Sequence, residues 1–104
     1  MINKRDAETQ TMLSGATFTL YEWSEAKNGY VVSTNYSIRE GGSTGKYYTY
    51  EGSDLGRILV TKDNLGKIRV VETKAPPGYS NIDPSTDQPY TWEYTFKKDG
   101  GNSQ

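Results

Sequence analysis

Residues 67–78, Lys67-Ile68-Arg69-Val70-Val71-Glu72-Thr73-Lys74-Ala75-Pro76-Pro77-Gly78, decide the fold. Side chains two apart on a strand share a face, so Ile68 and Val70 line up on one side with Arg69 and Val71 on the other. Pro76-Pro77-Gly78 ends the run, because proline has no ladder donor and glycine permits a reversal. The same alternation carries a sharper consequence. If Ile68 and Val70 face a core, Glu72 faces it too.

Upstream, Asp63-Asn64-Leu65-Gly66 reads as a turn and Arg57–Thr61 as a further strand. Ala16–Trp23 is the second clear strand, with Phe18 and Leu20 on one face and Thr17, Thr19 and Tyr21 on the other. Asn28-Gly29 is a hairpin signal leading to Tyr30-Val31-Val32. Beyond it the pattern loosens, with a flexible loop at Gly41–Gly45 and an edge-strand candidate at Lys46–Tyr50. Ile2–Arg5 is a short first strand, followed by the polar turn Asp6–Gln10. Downstream, a loop containing Pro84 and Pro89 leads to a strand over Tyr90–Lys98 and a frayed tail over 99–104. Short strands at even spacing predict an all-β sandwich. At 104 residues the chain forms one domain, spanning 1–98.

Composition agrees and excludes several functions. Only 33% of residues are hydrophobic, but nine tyrosines and eleven glycines suit strands and turns better than helices. Net charge is −1 with neither sign clustered, which speaks against nucleic acid or an anionic membrane as partner. Cysteine and histidine are both absent, which removes thiol nucleophiles, histidine bases and the usual zinc ligands. No cofactor or metal is expected. No apolar stretch is long enough to cross a bilayer and no signal peptide is visible. Met1 precedes a strand at once, which suggests a piece excised from a longer chain.

Ile2 and Lys4 share a face by the same rule that pairs Val70 with Glu72. Two strands thus each aim one ionisable group at the core, and burial drives a carboxyl and an amine toward their neutral forms. A neutral amine is a nucleophile and a protonated carboxyl is an acid catalyst. The plainer alternative is that both residues sit at strand ends and reach solvent.

Three segments together resemble a known family. They are Asn3-Lys4-Arg5-Asp6, Leu13-Ser14-Gly15-Ala16-Thr17-Phe18-Thr19-Leu20-Tyr21, and Gly66 through Glu72-Thr73-Lys74-Ala75-Pro76-Pro77-Gly78-Tyr79. The family is the collagen-adhesin B-type (CnaB) domain, also called the SpaA-type or prealbumin-like pilin domain. The resemblance implies a reversed-immunoglobulin β-sandwich serving as an extracellular stalk module in cell-wall-anchored adhesins and pilins of Gram-positive bacteria. It also implies an isopeptide bond in which Lys4 is the nucleophile and Glu72 the assisting acid. The family's acceptor, an Asn or Asp, lies on a final strand after the one at Tyr90–Lys98. Asn102 is in phase with Trp92, Tyr94 and Phe96, but two glycines intervene. Three alternatives stand: Asn102 is the acceptor, the last strand lies outside the chain, or no cross-link forms. The favoured one is an acceptor outside the chain, leaving an open groove for a complementary β-strand from a neighbouring domain or a supplied peptide.

Two rival readings stand beside this one. Tyr47, Tyr48, Tyr50, Trp23 and Trp92 could form an aromatic patch for a host or carbohydrate ligand, the alternative being that they are sheet and rim residues. Asp6, Glu8, Asp83 and Asp87 supply carboxylates for a hydrolase, but all lie in solvated turns. The expected chemistry is at most one autocatalytic turnover, not enzymatic turnover.

Overall fold

A computed structural model describes residues 2–97 together with the backbone of Asn102–Ser103. Among the described residues the chain is strand, turn and coil, with no helix. The strands are β1 (Ile2–Asn3), β2 (Thr17–Ser24), β3 (Gly29–Val32), β4 (Ser37–Glu40), β5 (Lys46–Glu51) and β6 (Asp54–Leu55). They continue with β7 (Lys67–Lys74), β8 (Ile82–Asp83), β9 (Gln88–Pro89), β10 (Thr91–Phe96) and β11 (Asn102–Ser103). One antiparallel sheet has the order β11-β10-β7-β2-β3, and a second has β1-β5-β4 with β6 also on β5. A small hairpin, β8-β9, stands apart.

The alternating residues of the two long strands build the core. Phe18 and Leu20 from β2 and Ile68 and Val70 from β7 are buried against Ile38 and Tyr47 from the other sheet. Phe18 meets Tyr47 edge-on at 5.1 Å between ring centres, which joins the two layers. Ile2, Trp92, Tyr94 and Phe96 pack around this centre while remaining partly exposed. The hairpin at Asn28-Gly29 forms as expected, with Asn28 at φ 51°.

Four expectations need correction. Lys46–Tyr50 is not an edge, because β5 is paired on both sides, with β1 on one and β4 on the other. Among the described residues, Arg57–Thr61 joins no ladder. Side chains satisfy its backbone instead: the Leu59 N–H donates to the Tyr36 hydroxyl, the Leu59 carbonyl accepts from Asn64 Nδ2, and the Thr61 N–H donates to Asn64 Oδ1. The first strand stops at Asn3, with only an isolated bridge between Arg5 and Met12 beyond it. Within the tail, Asn102–Ser103 pair with Phe96 and Thr95 of β10; the rest of that tail lies outside the described residues.

Candidate functional site

The face-sharing rule brings Lys4 and Glu72 together across the two sheets. Glu72 follows Ile68 and Val70 onto the core face of β7 and is 0% exposed. Lys4, just past β1, donates from Nζ to Glu72 Oε1 at 3.2 Å, with its side chain 21% exposed. The second carboxylate oxygen, Oε2, is buried and has no hydrogen-bond partner among the described residues. An unpaired buried acceptor costs about 1–3 kcal/mol. The Tyr90 ring lies 5.4 Å from Lys4 Nζ and stacks on Trp92.

The backbone of Lys4 is pinned from both sides. Its N–H donates to the Gly45 carbonyl and its own carbonyl accepts from the Leu13 N–H, each at 2.8 Å. Gly45 has φ 77°, and a Cβ there would come within 2.9 Å of the Lys4 carbonyl oxygen and the Leu13 nitrogen. Only glycine lets the two segments close at this point. Glu40 ties the same corner together: Oε1 accepts from the Ser14 hydroxyl at 2.6 Å and Oε2 from the Gly45 N–H at 2.8 Å. The Ser14 hydroxyl, then the Gly45 amide, hold the Glu40 carboxyl below its ordinary range. The buried Tyr47 hydroxyl donates to the Leu13 carbonyl and accepts from the Ala16 N–H. Burial raises its pKa above the ordinary value for a tyrosine.

Asn102 sits elsewhere in the register. Its backbone opposes Phe96, whereas the β10 side of Glu72 bonds to Tyr90, six residues away along the chain. The side chain of Asn102 lies outside the described residues.

The proposed aromatic patch is dispersed. Tyr47 is in the core and Trp92 packs on Phe18 at 6.3 Å. Trp23 lies on the outer face of β2 beside Tyr30, with Lys67 Nζ 5.2 Å over its ring. The Tyr50 ring is covered by the Arg39 guanidinium at 4.2 Å. The turn carboxylates are likewise occupied locally: Asp6 caps Glu8 and Thr9, and Asp83 accepts from Ser85. Sequence reasoning missed Glu40, Gly45 and Tyr90 around Lys4. Only Gly45 carried a signal, as the glycine closing the Gly41–Gly45 loop.

The arrangement is a lysine amine, a buried carboxyl that accepts from it, and a second carboxyl oxygen without a hydrogen-bond partner among the described residues. Compared with protein families, residues 1–102 match the SpaA prealbumin-like fold domain. Comparison with curated proteins and with solved structures gives no match.

Proposed function

The chain belongs to the SpaA prealbumin-like fold domain family, and from that membership we propose that it is a stalk module of a Gram-positive surface adhesin or pilin. SpaA domains are typical of extracellular surface and pilin proteins. Among the described residues no helix is long and apolar enough to cross a membrane. Cell-wall anchoring would come through the parent protein.

We further propose that Lys4 forms an isopeptide bond with an Asn or Asp on a strand from outside these 104 residues. The observation that carries this is the fully buried Glu72, with Oε1 on Lys4 and Oε2 without a hydrogen-bond partner among the described residues. Lys4 Nζ attacks the side-chain carbonyl carbon of the acceptor. A nitrogen–carbon bond forms, Glu72 takes up the amine proton and returns it to the departing group, and ammonia (from Asn) or water (from Asp) leaves. Positioning supplies most of the acceleration, because holding amine, carboxyl and acceptor in contact makes a slow bimolecular amidation effectively unimolecular. Asn102 is poorly placed for this by register: six residues along a strand span roughly 20 Å.

Intact mass tests the reading. The isolated chain should show its full calculated mass. A synthetic extended peptide with alternating apolar residues and one Asn should give an adduct one ammonia lighter than the sum, stable to boiling in detergent. Lys4→Ala and Glu72→Gln should each abolish it. An isolated chain already one ammonia light, restored to full mass by Asn102→Ala, would make Asn102 the acceptor and end the proposal.

The alternative of a ligand-binding adhesin module is weaker, because the aromatics it requires are buried, on separate faces, or capped by cations.

A further inference from the structure

Glu72 ends the β7–β10 ladder with half a regular rung. In an antiparallel ladder every second opposed pair exchanges two hydrogen bonds. The Phe96 N–H donates to the Gly66 carbonyl at 2.8 Å, which marks one such pair. Counting by twos through Tyr94↔Ile68 and Trp92↔Val70 brings the next to Tyr90 and Glu72. One bond of that pair is present, from the Glu72 N–H to the Tyr90 carbonyl at 2.9 Å. The reciprocal bond is replaced. The Tyr90 N–H donates to the Asn81 carbonyl at 2.9 Å, and the Glu72 carbonyl accepts from Asn81 Nδ2 at 2.9 Å. One residue is inserted into the rung, serving one strand with its backbone and the other with its side chain.

The insertion has a physical cause on each side. Glu72 is fully buried, so its carbonyl has no water to turn to and must find a donor within the protein. On its other edge the β2–β7 register shifts, from Phe18↔Glu72 to Thr17↔Lys74, and leaves Thr73 unopposed. Glu72 therefore lies between a bulge and an inserted amide, and neither ladder alone fixes its backbone. The β8–β9 hairpin, through Ile82↔Pro89, brings Asn81 opposite Tyr90 and delivers the amide.

We infer that Asn81 is a positioning residue for Glu72: its carboxamide sets where the carboxylate stands against the Lys4 amine. The inference rests on the Lys4–Glu72 reading above and adds to it a residue from a separate hairpin. Asparagine suits the position because it offers a donor on a short stem. Aspartate keeps the shape and loses the donor. A shift at this rung also moves Tyr90, whose ring flanks the amine, so both neighbours of Lys4 depend on it.

Lys4 reactivity reads this out in the chain alone. The protein is treated with limiting sulfosuccinimidyl acetate, and acetylation at Lys4 is measured by peptide mass mapping against the exposed Lys62 in the same sample. Glu72→Gln removes the anion that holds the amine and should raise the Lys4 to Lys62 ratio by roughly threefold, the scale of a part-exposed ion pair. Asn81→Asp and Asn81→Ala should move the ratio the same way, while Asn81→Gln, which keeps a donor, should stay nearer the parent chain. Cooperative thermal melting is checked for each; if Asn81→Ala does not fold, the Asp and Gln variants carry the comparison. An Asn81→Asp ratio that matches the parent overturns the inference. So does a shift in Asn81→Asp when Glu72→Gln shows none, since Asn81 would then act by another route. Acetylation needs no acceptor strand, so the peptide adduct can fail with this effect intact, and the effect can fail with the adduct intact.

Discussion

Glu72 and Lys4 touch each other but stand in unequal surroundings, and that inequality makes their removal asymmetric. Lys4 reaches water through its 21% exposed side chain, whereas Glu72 has none. Lys4→Met leaves a carboxylate buried without its cation and should cost about 3–5 kcal/mol in urea unfolding. Glu72→Met leaves an amine that can swing outward, and should change stability by no more than about 1 kcal/mol while ending cross-linking. Equal losses for the two variants would show the pair to be structural rather than poised for reaction. The phase of both residues was legible from Ile2, Ile68 and Val70, because alternation alone assigns a face. Asn81 and Tyr90 were not. An asparagine in a Pro-flanked loop reads as turn chemistry, and nothing local shows that its amide will fill a gap in a distant ladder.

Turns that carry no ladder are also tied to one another, two residues from Lys4. The polar turn Asp6–Gln10 and the Pro76–Tyr79 loop are joined by the Tyr79 hydroxyl, which donates to Asp6 Oδ2 at 2.7 Å. The Thr9 amide, the Tyr79 hydroxyl and the Glu8 amide together lower the Asp6 pKa from 3.8 to about 2. A carboxyl with a depressed folded-state pKa contributes stability that is present above the unfolded value and lost as pH falls through the folded one. Asp6→Asn should therefore be less stable than the parent above pH 4, and its melting temperature should vary less between 3.8 and about 2. Parallel curves through that window would show that the strap does not couple to folding. The two long strands were readable for the reason the middle of the chain was not. β2 and β7 pair with neighbours on both sides and are patterned by one buried face. In Lys46–Glu51 only Tyr47 is fully buried, so aromatic residues on both faces hid the period. Arg57–Thr61 has a strand's composition, yet Asn64 and Tyr36 take its backbone groups first.

At the scale of the whole molecule, the fully buried core is small, and a ring of larger side chains surrounds it half-covered. Ile2, Trp92, Tyr94 and Phe96 touch the core while keeping contact with solvent. A strand docked beside Lys4 would cover part of that ring, and each apolar side chain it buries is worth about 1.5–3 kcal/mol before ordering costs. For a domain of this size about 1 kcal/mol moves the melting temperature by roughly 4–8 °C. The purified peptide adduct should accordingly melt about 10 °C or more above the isolated chain. Mass action separates the covalent from the non-covalent part of that gain. Lys4→Arg keeps a cation beside Glu72 but cannot form the amide readily, so its melting temperature with the same peptide should rise with peptide concentration. The adduct, with strand and domain on one covalent unit, should melt at a temperature independent of added peptide. If the adduct melts no higher than the isolated chain, the strand has reacted from solution without docking. Lys4 would then be a reactive surface amine, and the half-covered ring would need another partner.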